Sequence, residues 1–192
     1  MPMQPRSSEE LLTKLRERTE QNILIAKDLA SMPDDILARR PDAESWSALD
    51  CLAHLNHYSE YYHPEIKKRI NASKHVAEPV FTSSRMGNYF ANGMKPGKDM
   101  KQISTFKSAN PINFAQSADR SILNTFLRDQ TELLELLDLA SEVNLTKTKT
   151  GISITNLIKL RLGDTLRVVV YHNWRHLEQA VRATNVNTIA VS

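Results

Sequence analysis

Apolar side chains recur every three or four residues in four long stretches of the chain, which is the spacing that an amphipathic helix requires. The stretches cover residues 8–31, 48–71, 117–140 and 164–184. A helix of this kind must bury its apolar stripe against another element. The pattern therefore predicts four long helices that pack together as a bundle.

Short polar residues at the start of three stretches indicate where these helices begin, because Ser and Asp side chains cap the free N–H groups of a first turn. Ser7 or Ser8 is the candidate cap of the first helix, and Ser45 or Ser47 that of the second. For the fourth helix the cap is Asp164 or a residue just before it. These positions define the predicted starts of the helices.

The remaining segments have no clear strand pattern. Residues 74–117 predict a long crossover between helices two and three, with one short helix near residues 85–93. Residues 145–151, rich in Thr and Lys, predict an extended loop, and residues 153–160 predict one or two helical turns. We therefore expect an all-α four-helix bundle that folds as a single domain over residues 1–192.

The composition is that of a soluble globular protein and excludes several classes of function. Of the 192 residues, 41% are hydrophobic, yet no apolar run is long enough to cross a bilayer. The 25 Lys and Arg are interspersed with 22 Asp and Glu, so no basic surface for a phosphate backbone stands out. The five glycines form no phosphate-binding loop. We expect no membrane partner and no nucleic-acid partner.

The start of the chain and its single cysteine bear on location. The first residues, 1–6, contain no apolar segment of a signal peptide. Cys51 is the one cysteine, whereas secreted domains usually carry an even number paired in disulfides. We therefore expect a cytoplasmic protein in which Cys51 is a small core residue.

The strongest chemical signal is a pair of histidines in the fourth helix. His172 and His176 are four residues apart, so their rings project from one side of the helix about one turn from each other. The apolar stripe of this helix is centred near Asn173 and Leu177, and both histidines lie along one edge of it. Such a pair suits one metal ion, but similar pairs are also found as surface or core residues. A metal site needs a third ligand from elsewhere.

The second helix offers candidates for that third ligand. At about 100° per residue, His54 lies about 100° from the centre of the apolar stripe, whereas His57 lies about 160° from it. His63 is nearer the stripe but precedes Pro64, where a core or capping role fits equally well, and His75 lies past the helix in a solvent-exposed position. His54 is therefore the preferred third ligand.

Several neighbours of these histidines have two interpretations. Asp50, one turn before His54, either accepts the free ring N–H and orients the ring or caps the helix. Trp46 and Trp174 either line a pocket or anchor the core. Arg175 either binds a substrate carboxylate or forms an ion pair, for example with Glu178, which lies three residues later in the same helix.

Three neutral imidazoles without a fourth protein ligand leave coordination positions for water or substrate, which is typical of a catalytic metal site. Zn²⁺ and Ni²⁺ are the ions that we expect, because both accept imidazole ligands. Asn173 stands where the helix of a zinc peptidase carries its Glu general base. Peptidase activity is therefore disfavoured.

Two segments around the histidines resemble the signatures of the DinB-like superfamily. Residues 46–55, WSALDCLAHL, contain the His-Leu pair of the first signature. Residues 171–180, YHNWRHLEQA, contain the His-x-x-x-His pair of the second. The resemblance covers nearly the whole chain, and it implies a four-helix bundle in which His54, His172 and His176 bind a divalent metal ion.

The resemblance also implies a range of activities. Members of the superfamily include thiol-dependent transferases and a mycothiol-dependent isomerase, in which the metal is thought to hold a cofactor thiol as thiolate. A low-molecular-weight thiol cofactor, a small-molecule substrate and a homodimer are therefore implied for this chain. Our hypothesis is a metal-dependent enzyme of the thiol-dependent transferase or hydrolase type. The alternatives are a non-catalytic metal-binding or stress-related interaction protein, and a metal-free bundle whose histidines are core groups.

Overall fold

The computed structural model describes residues 4–97, 109–114 and 119–185, apart from the side chains of residues 114, 156 and 185. These residues form seven helices and four short strands. In chain order the elements are β1 (Arg6–Ser7), α1 (Ser8–Ala30), α2 (Asp34–Ala38), α3 (Ala48–Asn71), β2 (Val80–Phe81), α4 (Arg85–Met94), α5 (Pro111–Phe114), α6 (Ser121–Ala140), β3 (Lys149–Ile152), β4 (Thr155–Arg161) and α7 (Leu162–Asn185).

The four long helices α1, α3, α6 and α7 build the body of the fold. Among the four long helices, α1 and α3 each contact both α6 and α7 extensively, so α1 and α3 occupy one diagonal of the bundle and α6 and α7 the other. Two clusters of buried apolar side chains fill the interior between these helices. The largely helical architecture confirms the predicted all-α class, and residues 72–120 form the long connection between the second and third long helices.

Two of the predicted helix caps are present. The Ser7 side chain accepts a hydrogen bond from the Glu10 backbone N–H, at 3.2 Å. Ser47 and Asp50 form a capping box, in which the Ser47 hydroxyl accepts from the Asp50 N–H and the Asp50 carboxylate accepts from the Ser47 N–H. Cys51, in the first turn of α3, is fully buried as expected. Local sequence therefore decides where α1 and α3 begin.

The third long helix begins later than predicted. We predicted a start at residue 117, which is one of residues 115–118 and lies outside the described part of the chain. The observed helix, α6, begins at Ser121, and Asp119 precedes it. The Asp119 carboxylate accepts a hydrogen bond from the Ser121 backbone N–H. This interaction satisfies one of the free donors of the first turn.

The prediction of helical turns at residues 153–160 was wrong. The loop predicted at residues 145–151 was wrong in part, because residues 149–151 belong to strand β3. Strands β3 and β4 pair antiparallel there as a hairpin. The backbone N–H of Gly151 donates to the Glu65 carboxylate of α3 at 2.7 Å, and the Thr150 and Thr165 hydroxyls are hydrogen-bonded at 2.6 Å. These long-range contacts, invisible to a local pattern, hold the segment extended.

The last helix begins before Asp164, which was one of the cap positions that we expected. Helix α7 starts at Leu162, directly after β4, so Asp164 lies in its first turn. The Asp164 carboxylate accepts hydrogen bonds from the backbone N–H and the hydroxyl of Ser84, at the start of α4, and pairs with Arg167. A residue predicted to cap one helix therefore joins two helices.

Helix α4 packs closely against α7. Gly87 makes this possible, because a Cβ at that position would lie 2.1 Å from the Asp164 Oδ2. The observed bounds of α4, Arg85–Met94, confirm the short helix predicted within the crossover. None of the helices in the described ranges is both long and apolar enough to cross a membrane.

Candidate metal centre

Two long helices bring three histidines together inside the bundle. His54 lies in the second turn of α3, and His172 and His176 lie one turn apart near the middle of α7. One ligand atom from each of the three rings can be chosen so that all three lie within 4.8 Å of one another. Their exposed fractions are 2%, 9% and 9%, so the cluster is shielded from bulk water.

Hydrogen bonds orient two of the three rings. The Nδ1–H of His54 donates to the backbone carbonyl of Ala109 at 2.7 Å, and the Nδ1–H of His176 donates to the Gln179 Oε1 at 2.9 Å. A proton on Nδ1 leaves the Nε2 lone pair of each neutral ring free to bind a cation. Partners of this kind fix both the tautomer and the orientation of metal-binding histidines.

The imidazoles are neutral at physiological pH. Burial lowers the pKa of His54 to about 4, against the partly compensating hydrogen bond to Ala109. Burial and the neighbouring His54 lower the pKa of His176 to about 3, and burial with the adjacent histidines also lowers that of His172. Neutral imidazole is the form that binds metal ions, so the site needs no deprotonation before an ion enters.

The spacing of the nitrogens fits a transition-metal ion. The Nε2 atoms of His54 and His172 are 3.2 Å apart. With metal–nitrogen distances of about 2.0–2.1 Å, two ligands of a tetrahedral ion lie roughly 3.4 Å from each other. No fourth His, Cys, Asp or Glu joins the group in the part of the chain that the structure describes, so a tetrahedral ion would keep one position for water or substrate.

Two aromatic side chains pack directly on the histidines. The Trp46 ring stacks on the His176 ring, with centroids 5.6 Å apart, and also contacts His54 at 4.9 Å. Tyr58, one turn after His54 in α3, contacts the rings of His54 and His172 at 4.9 and 4.8 Å. These aromatic walls limit the movement of the imidazoles and exclude water from their faces.

A cavity of about 1550 Å³ adjoins the three histidines. Its walls come from α3, α4, the β3–β4 hairpin and α7, and they include both Trp46 and Tyr58. The three imidazole rings therefore face a space large enough for a small molecule. Both predicted roles of Trp46, pocket lining and core anchoring, are present, because it lines this cavity and also packs against one of the apolar core clusters.

The structure decides between the remaining alternatives for neighbouring residues. Trp174 does not line the cavity, and its ring lies under the Arg18 guanidinium at 3.9 Å. Arg175 lines the cavity and donates to the Gly93 carbonyl at 3.1 Å, while Glu178, its expected partner, pairs with Arg182. The suggested ion pair between Arg175 and Glu178 is therefore replaced by a contact between α7 and α4.

Asp50 is a capping residue and not the partner of His54. Its carboxylate accepts from the Ser47 N–H and from two nitrogens of Arg40, whereas the His54 N–H goes to Ala109. No sequence pattern points to Ala109, because its carbonyl comes from the crossover, 55 positions away, and any residue type supplies a carbonyl. Spacing alone could have suggested Gln179 and Tyr58, since they lie three and four residues after a candidate ligand.

The other histidines lie apart from the cluster. His63 is buried, and its Nδ1 contacts the Glu132 carboxylate at 3.1 Å, which fits the predicted core role. His57 is half-exposed on α3 and lies 4.0 Å from the Glu60 carboxylate. His75 is exposed after the end of α3. The angular preference for His54 over His57 therefore agrees with the positions of both rings in the bundle.

Four long helices around a buried three-histidine group define a class of helical bundle that can hold a metal ion between its helices. Residues 8–180 match the model of the DinB superfamily, and the chain belongs to that superfamily. The match confirms the resemblance found in the two histidine-containing segments. No curated protein and no solved structure matches the chain.

Proposed function

We propose that the chain binds one divalent transition-metal ion, Zn²⁺ or Ni²⁺, through His54, His172 and His176. We further propose that it acts as a metal-dependent enzyme of the thiol-dependent transferase or hydrolase type on a small molecule. The observation that carries the proposal is the convergence of three neutral, buried imidazoles beside a cavity of about 1550 Å³. The predicted homodimer, cytoplasmic location and single-domain organisation remain predictions.

The donor set determines the chemistry that is available. A bound divalent ion lowers the pKa of a coordinated thiol or water, and thus supplies a nucleophile near neutral pH. Three neutral ligands leave the full charge of the ion uncompensated, which favours such deprotonation. A low-molecular-weight thiol or a water molecule fits the open position equally well, and this is why both reaction types belong to the proposal.

The chain's own residues bind and shield the reacting groups. Trp46 and Tyr58 cover the imidazole faces and restrict the approach to the cavity side. The Tyr58 hydroxyl takes part in none of the hydrogen bonds found among the described residues, and the residue lines the cavity. A phenol in this position can donate a hydrogen bond to a bound small molecule.

The first test is the metal content of protein purified without an affinity tag. We expect close to one Zn²⁺ or Ni²⁺ per chain by elemental analysis, and strongly reduced content in His176→Ala. His75→Ala is the matched control, because its exposed ring is outside the cluster and its metal content should not change. Equal metal content in both variants would contradict the proposed ligand set.

The second test concerns catalysis. Thiol transfer from low-molecular-weight thiols to electrophiles, and hydrolysis of small esters and amides, should be screened with the metal-loaded protein. For any substrate found, we expect His176→Ala to lose turnover while circular dichroism shows a retained helical fold. Full activity of this variant would refute a metal-dependent reaction.

One observation favours a non-catalytic, stress-related metal-binding protein as the second candidate. His54 belongs to α3 and the other two ligands to α7, so a bound ion would join two long helices of the bundle. An ion that binds only the folded state stabilises it by about 2.7 kcal/mol at a free concentration one hundred times its Kd. A large loss of thermal stability on chelation, with no turnover in either screen, would support this alternative.

A further inference from the structure

The charged side chains around the cavity are mostly basic. Among the described lining residues, histidines aside, Arg85, Lys95, Arg175 and Arg182 are basic, whereas Glu44 alone is acidic. The chain as a whole carries a formal charge of only +3 on 192 residues, so this excess is local. A concave wall dominated by one sign of charge concentrates ligands of the opposite sign.

One of these basic residues, Arg175, directly precedes His176 in α7. Arg175 is in the same helix as the two ligands of α7, and its exposed fraction is 7%. It lines the cavity, and its Nη1 donates to the Gly93 carbonyl of α4 at 3.1 Å. At a partly buried wall, the attraction between this guanidinium and an anion is stronger than it would be in bulk water.

Helix α4, which packs against α7, adds polar side chains to the cavity lining. Arg167 is buried, and its Nη2 donates to the Oδ1 atoms of both Asn88 and Asn92, at 3.1 Å each. Because a guanidinium has only donors, this contact fixes both amides with the oxygen towards Arg167 and the NH₂ group away from it. Both asparagines line the cavity, so each can offer its NH₂ group as a donor to a bound molecule.

We propose that this cavity binds a small molecule that carries an oxyanion, a carboxylate or a phosphate group, with Arg175 and the Asn88 and Asn92 amides as its binding wall. The inference rests on the proposed function, because the reacting group would lie at the ion while the oxyanion lies against this wall. Guanidinium groups pair with carboxylate and phosphate oxygens through charge-assisted hydrogen bonds, which are stronger than neutral ones.

The test uses protein loaded with Co²⁺, whose near-ultraviolet absorption reports thiolate coordination. Two thiols of equal length are titrated, 3-mercaptopropionate and the neutral 3-mercaptopropan-1-ol. We expect the acid to bind at least about tenfold more tightly than the alcohol, which corresponds to one charge-assisted hydrogen bond. Competition by propionate or by inorganic phosphate then shows which oxyanion the wall prefers, and either result supports the proposal.

Variants show whether the preference for the acid comes from the Arg175 wall or from the charge of the metal ion. In Arg175→Gln the preference for the acid should fall about tenfold, while binding of the neutral thiol stays within twofold. Arg175→Lys keeps the charge and should retain part of the preference. Arg39→Gln is the control for net charge, because Arg39 is exposed outside the cavity, and the native preference should persist.

The outcomes distinguish this inference from the function on which it rests. Absence of Co²⁺ uptake would overturn both. Uptake of Co²⁺ with equal binding of acid and alcohol, or an unchanged preference in folded Arg175→Gln, would overturn only the oxyanion site. If Arg175→Gln fails to fold, Asn92→Ala provides the second variant, because Asn92 belongs to the proposed wall and is exposed, and the preference for the acid should fall there as well.

Discussion

The Nε2 atoms of His54 and His172 face each other at 3.2 Å, although 118 positions separate the two residues in the chain. His54 donates its Nδ1 proton to the Ala109 carbonyl, so the Nε2 of its neutral ring has a bare lone pair. Two nitrogens at this distance share either a proton or a metal ion. The packing of α3 on α7 thus brings together ring nitrogens that could hold one cation.

The buried imidazoles predict a specific loss of stability in mild acid. The pKa values of His54 and His176 are lowered to about 4 and about 3, and that of His172 is also lowered, whereas an unfolded chain takes up protons near pH 6.5. The stabilising contribution of neutral burial is therefore present above pH 6.5 and is lost as pH falls towards 4. Between pH 7.5 and 5.5 the free energy of unfolding of metal-free protein should fall by about 1 kcal/mol per histidine.

Urea denaturation of chelator-treated protein at these two pH values measures the loss. His176→Gln removes one of the three titrating rings, so its pH-dependent loss should be about one third smaller. Any pH-independent effect of the substitution on the free energy of unfolding cancels, because the values at the two pH are subtracted for each protein separately. An identical pH dependence in both proteins would mean that the pKa of His176 is the same in the folded and the unfolded chain.

The two interpretations of Asp50 predict different phenotypes for Asp50→Asn. Because Asp50 is buried and accepts from Ser47 and from two nitrogens of Arg40, loss of its charge should lower the free energy of unfolding by about 2 kcal/mol. Metal content should not change. Chemical denaturation with parallel elemental analysis measures both quantities.

Arg40→Gln is the matched control for that variant. Its side chain is 37% exposed, so its loss removes the same ion pair but leaves the capping box, and the cost should be smaller, about 1 kcal/mol. Loss of the metal ion from folded Asp50→Asn would show that the carboxylate acts on the histidine cluster after all.

Two glycines of α4 should respond in opposite directions to alanine. A Cβ at Gly87 would lie 2.1 Å from the Asp164 Oδ2 and 2.6 Å from its Cβ, so Gly87→Ala must displace α4 from α7. We expect a loss of at least about 2 kcal/mol. No atom lies within 4 Å of a Cβ at Gly93, so Gly93→Ala should be neutral or stabilising by up to about 1 kcal/mol. Thermal melts compare the two, and equal stabilities would refute the close packing of α4.

Trp46 should report metal binding. Its ring stacks on His176, whereas the Trp174 ring lies under the Arg18 guanidinium and outside the cavity. Ions such as Ni²⁺ and Cu²⁺ bind imidazole and quench nearby tryptophan emission. On Ni²⁺ titration we expect strong quenching in native protein and in Trp174→Phe, but little in Trp46→Phe. Quenching that follows Trp174 instead would place the ion away from the cluster.

Much of the fold followed from local sequence, because helix formation depends on residues three and four positions apart. The periodicity located all four long helices to within a few residues, and the serines at 7 and 47 were correct caps. The errors lie where partners are distant. The segment at residues 153–160 is a strand because it pairs with β3, and α7 starts at Leu162, directly after that strand.

For the candidate site, sequence by itself determined the ligand types and their spacing. The separation of His172 from His176 places both rings on one side of any helix, and the apolar stripe of α3 favours His54 over its neighbours. Only the tertiary structure decided that these rings meet and that Ala109 orients one of them. It also decided that Arg167 orients the side-chain amides of Asn88 and Asn92. The reason is physical: a helical pattern specifies which face of a helix is buried, whereas the partner across that face depends on how separate helices pack.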